Sequence, residues 1–153
     1  MHSIICATRG GVGSRAVEFA AIERAKKTGQ ALVFLYVIDT GGYGDLDDMM
    51  RPALRDELLW MGKTLLRIAE RRAKAANLTA EIVIREGYAR EEISQYAATT
   101  QAAVLMLGAP RFTTANIFGD DEIERFARSI RQSTGIPVEI IRAEGGSIPV
   151  EEP

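Results

Sequence analysis

The chain has 153 residues, 46% hydrophobic and 26% charged, with a formal net charge of −2. That fits one domain with a proper core, and it excludes a global electrostatic pull toward nucleic acid or an anionic membrane surface. Cys6 is the only cysteine, which excludes an internal disulfide, and no run approaches the ~20 apolar residues of a membrane span.

Met1-His2-Ser3 lacks a basic n-region, so no signal peptide is expected and the expected location is the cytoplasm. Ser3–Ala7 then reads as a short buried strand, with Cys6 an inert core thiol. Ser14 suits the N-cap of a helix to Thr28, stopped by Gly29. Val17, Ala20, Ala21 and Ile22 give that helix its apolar side. Ala31–Ile38 is a continuous apolar run, as in a central strand covered on both faces. Thr40–Arg51 reads as a loop, flexible at Gly41, Gly42 and Gly44 and acidic at Asp45, Asp47 and Asp48. A helix from Pro52 to about Asn77 carries Leu54, Leu58, Met61, Leu65 and Ile68 at helical spacing. Trp60 and Met61 are expected to cap the core from it, with a partner contact as the alternative.

Ala80–Glu86 is a third strand, Glu91–Thr100 a short helix, and Ala102–Leu107 a fourth strand closed by Gly108. Ala109–Gly119 is a loop; Asp120, Asp121 and Glu122 open a helix through Ser133, favourably for its dipole. Pro137–Arg142 is the fifth strand. The alternation of β and α, with strands too apolar to be half exposed, predicts an α/β fold: one doubly wound parallel sheet with helices on both faces. Ligands of such sheets bind beyond the carboxyl ends of the strands where the winding reverses, which selects the loops Thr8–Ser14 and Gly108–Gly119.

The glycine-rich turn Thr8–Ser14 places backbone N–H groups at a helix N-terminus and suits an anion. It lacks the lysine of a Walker loop. Gly11-Val12-Gly13-Ser14-Arg15-Ala16 matches G-x-G-x-x-A, and Asp39 ends the second strand where a dinucleotide fold places its ribose acid, so NAD binding is one reading. Arg9 and Arg111, one from each loop, are candidate phosphate contacts or solvated surface arginines. His2 is the only histidine, and without a second His or Cys the usual nucleophile–base pairs cannot be built. The acidic loop lacks EF-hand spacing, and no metal site is expected.

In order and spacing the pieces resemble the universal stress protein family over about residues 3–142. They are Ile4-Ile5-Cys6-Ala7 with its small-residue turn and Arg15–Ala20, then Lys27-Thr28-Gly29, then Leu35–Asp39. Glu86-Gly87 ahead of Glu91-Glu92-Ile93, Val104–Gly108 and Thr134–Val138 complete the match. The resemblance implies strand order 3-2-1-4-5, a domain over 1–143, and a cytoplasmic stress-response or regulatory protein that is a homodimer pairing through its last strand. In a subset of the family it implies ATP or AMP binding, through an acid ending the first strand and G-x₂-G-x₉-G-[ST] after the fourth. Here Thr8 stands at the acid's position, Gly108 matches the first glycine and Arg111 replaces the second. Asp120, Asp121, Glu122 and Glu124 fall where phosphates would bind and would repel a triphosphate. The candidate nucleotide contacts are therefore Thr8, Arg9, Gly10, Gly11, Gly13, Ser14, Val37, Asp39, Gly108 and Arg111. No enzymatic activity is expected, weak ATP hydrolysis being left open. A dimeric interaction protein of the same fold, without nucleotide, is the alternative function. Residues 144–153 are expected to form a flexible tail.

Overall fold

The computed structural model describes residues 2–9, 11–109 and 122–142, with the backbone path alone at 11–13. Its five strands are β1 (Ile4–Ala7), β2 (Leu32–Ile38), β3 (Ala80–Glu86), β4 (Val104–Ala109) and β5 (Val138–Arg142). They form one sheet in the order β3-β2-β1-β4-β5, with every pair parallel. The helices between them are α1 (Gly11–Thr28), α2 (Met50–Ala75), α3 (Ala89–Thr100) and α4 (Glu122–Thr134).

Strand residues alternate between faces. Ile4, Cys6, Phe34, Tyr36 and Met106 share one core with α1 and α2, whereas Ile5, Val33, Leu35, Leu105 and Leu107 share the other with α3 and α4. Two covered faces are why the central strands are continuously apolar. Burying one such side chain contributes about 1.5–3 kcal/mol. β1 is paired along its whole length on both sides, from Ile4 against Leu32 and Val104 to Ala7 against Leu35 and Leu107. The winding reverses between β1 and β4, so a crevice is expected at their carboxyl ends.

Several boundaries differ from those expected. The two edge strands are only partly covered, β3 most plainly, so not every strand is enclosed. The segment after β2 holds a 3₁₀ turn, Thr40–Tyr43, rather than only loop. α2 starts at Met50 because Asp47 Oδ1 accepts from the N–H groups of Met49 (3.0 Å) and Met50 (2.7 Å). Its buried face is Leu58, Gly62, Leu66, Ala69 and Ala73, with Leu54 and Leu65 packed against the same core; Met61 and Ile68 of the expected stripe are exposed. Trp60 is 66% and Met61 45% exposed, so neither caps the core. α3 begins at Ala89, two residues ahead of Glu91. Gly29 does end α1, at φ of 73°, and Gly135 follows α4 at φ of 76°, a region costly to residues with a Cβ. The tail 144–153 and most of the Ala109–Gly119 loop, Arg111 included, lie outside the described residues.

Candidate functional site at the carboxyl edge

β1 delivers Thr8 to the carboxyl edge, where its N–H donates to Leu35 O at 2.9 Å and prolongs the β1–β2 ladder. The Thr8 side chain is 1% exposed and its hydroxyl donates to Glu18 Oε2 at 2.7 Å. Glu18 lies on α1 and is 3% exposed; its other oxygen pairs with Arg72 of α2. A carboxylate taken out of water is costly unless it is paired and hydrogen-bonded, and this one is both. Cys6 lies in the same core, where burial and the nearby Glu18 charge raise its thiol pKa well above the ordinary range.

α1 begins at Gly11, so Ser14 is inside its first turn and is not the N-cap. Ser14 Oγ instead accepts from the Arg9 N–H at 2.9 Å, closing the turn from within. The Arg9 side chain is exposed. The turn thus brings Thr8, Arg9, Gly11, Gly13 and Ser14 together at the N-terminus of α1, where helix N–H groups favour an anion. Gly10 lies outside the described residues.

Asp39 closes the neighbouring strand, β2. Its Oδ1 accepts from Gly41 N and its Oδ2 from Ala89 N, both at 2.9 Å. One carboxylate therefore caps the 3₁₀ turn and the start of α3. Val37 packs into the α3/α4 core, whereas Thr8 is held from the α1/α2 side, so those two candidates serve opposite faces. Gly108 lies inside β4 opposite Ile141, not at the strand's end, because β4 runs on to Ala109. At the start of α4, Glu122 pairs with Arg90 at 3.0 Å and Glu124 with Arg142 at 3.4 Å. Those two acids, expected to repel phosphate, thus stand beside compensating charge.

Glu18 and Arg72 are the residues that sequence reasoning missed. A glutamate between Val17 and Phe19 reads as solvent-facing, and its partner is 54 positions away. Among the described residues, no three His, Cys, Asp or Glu side chains gather as a metal site would. A separate hollow of about 480 Å³ lies toward the other end of α1, where Arg24 pairs with Glu139 of β5. Glu139, a charge on β5, the last strand of the sheet among the described residues, is thus already partnered.

The universal stress protein family model matches residues 1–142. A search of curated proteins found no match. Among similar solved structures, universal stress protein UspA from Lactobacillus plantarum has a TM-score of 0.71 at 16% identity, covering 92% of this chain and 98% of that one. A universal stress protein family member from Arabidopsis thaliana with AMP bound has a TM-score of 0.69 at 14% identity, covering 99% and 97%. A member from Burkholderia pseudomallei has a TM-score of 0.64 at 22% identity, covering 92% and 96%. With the family model spanning nearly the whole chain and the sheet in this order, the chain belongs to the universal stress protein family.

Proposed function

We propose that this chain binds an adenine nucleotide at the carboxyl edge of β1 and β4, and that it acts as a cytoplasmic, non-enzymatic stress-response regulator. The observation that carries the reading is the start of α1 at Gly11, beside the point where the winding reverses. Similar universal stress protein structures in complex with AMP, dAMP and cAMP support the choice of ligand. The contacts in this reading are Arg9, Gly10, Gly11, Gly13 and Ser14 of the turn, with Val37, Gly108 and Arg111 completing the site; Thr8, buried and bonded to Glu18, supports the turn from beneath. Asp39, committed to two backbone caps, shapes the site's wall. A monophosphate suits the site better than a triphosphate, because Asp120 and Asp121 add negative charge near the α4 start. The protein is proposed to be a homodimer through the free edge of β5, which light scattering tests.

Calorimetric titration with AMP and ATP tests the ligand. Saturable heat, with AMP at least as tight as ATP, is the expected result, and no heat at high-micromolar protein overturns the reading. Gly11→Asp puts a carboxylate at the α1 N-terminus, where it favours the helix but repels a phosphate. It is expected to weaken AMP by about tenfold or more without loss of folding.

A further inference from the structure

Thr8, Ser14 and Glu18 are the polar or charged residues buried in the described part of the chain, and Glu18 is the only charged one. Thr8 and Ser14 flank the β1–α1 turn, and Glu18 reaches Thr8 from farther along α1. From this geometry we infer that Glu18, held by Arg72, is the positioning residue of the β1–α1 connection: it fixes Thr8 and so sets the placement of Arg9 against the N-terminus of α1. The inference rests on the nucleotide reading above.

The turn is fixed by three consecutive bonds. Thr8 N–H is tied to β2, the Thr8 hydroxyl to Glu18 and Arg9 N–H to Ser14 Oγ. The first belongs to the sheet and the third to the turn itself. Only the bond to Glu18 reaches a different layer of the molecule, where Arg72 of α2 secures it. A threonine hydroxyl has a single proton to donate, and here the carboxylate takes it. Thr8 therefore offers no donor to an anion, and being buried it makes no direct contact with one. Its effect on a ligand is exerted through the placement of Arg9 and the α1 N-terminus. Arg72 has a second effect, because its charge offsets a carboxylate that would otherwise oppose an anion at that end of α1.

Two readouts on the full chain test this. One is the hydrogen exchange of the Arg9 amide without ligand; the other is AMP affinity by calorimetry, below the melting range of every variant. Thr8→Val, nearly isosteric but without the hydroxyl, is expected to speed Arg9 exchange and weaken AMP, each by about tenfold. Thr8→Ser, which restores the donor, is expected within about threefold of the wild type. Glu18→Gln, whose single amide oxygen cannot serve both Thr8 and Arg72, is expected to speed Arg9 exchange and weaken AMP toward the Thr8→Val values. A folded Thr8→Val protein with unchanged Arg9 exchange and unchanged AMP affinity overturns the inference. Should the unaltered chain bind no AMP, the nucleotide reading falls by itself. The Arg9 exchange of Thr8→Val then still decides the positioning role, faster exchange supporting it and unchanged exchange overturning it.

Discussion

A Cβ on Gly62 would lie 2.6 Å from Cδ1 and 2.7 Å from Cε1 of Tyr36. Alanine there would gain about 1 kcal/mol of helix propensity. The clash involves the body of a buried ring rather than a flexible tip, and overpacking costs about 1–3 kcal/mol. Gly62→Ala is therefore expected to lower stability by about 1 kcal/mol net, seen as a melting temperature about 2–4 °C lower. An equal or higher melting temperature would mean that the ring gives way. Cys6 makes a second residue-scale prediction: with its thiol buried and its pKa raised, native protein should resist alkylation at pH 8 and label readily in denaturant.

At the scale of elements, Asp39 joins β2, the 3₁₀ turn and α3 through two backbone bonds. Asp39→Ala removes both caps and is expected to cost about 1–2 kcal/mol, measured by urea unfolding. Asp39→Asn retains one good acceptor and is expected to lose less than half of that. The same residue shows what single-sequence reading can and cannot reach. Its place at the end of β2 was legible, because Ala31–Ile38 is apolar throughout. Its partner Ala89 is 50 residues on and was not. The order of elements was legible for the same reason, since burial on both faces writes each central strand as an unbroken run. The face of α2 was legible at Leu54, Leu58 and Leu65 but not at Gly62, Ala69 and Ala73, whose small size permits close approach but gives little hydrophobic signal. The larger Met61 and Ile68 drew the stripe onto the exposed side.

Over the whole molecule, the two cores make stability depend on pH at the alkaline end. Tyr36 has its pKa raised by burial and then by Tyr43. Tyr96 is raised by burial and Glu81, with Arg85 opposing. In the unfolded chain both ionise near about 10. Their contribution is whole below that pH and is lost as pH rises through the higher folded values, because the folded state binds its protons longer. Cys6, with its thiol also raised by burial and an unfolded value of about 8.5, adds to this at lower pH. The urea midpoint is therefore expected to be level from about pH 7 to 8, to fall from about pH 8.5 and to fall more steeply above about pH 10.

The ligand site belongs to this scale as well, because it depends on where the winding reverses rather than on any one residue. The most direct measurement is an AMP titration followed by backbone amide NMR of the full chain. The account predicts saturable shifts concentrated in Thr8–Ser14 and around Val37 and Gly108, with little change at Arg24, Lys27 and Glu139. An absence of shifts, or shifts centred on the α1–β5 hollow instead, would contradict it.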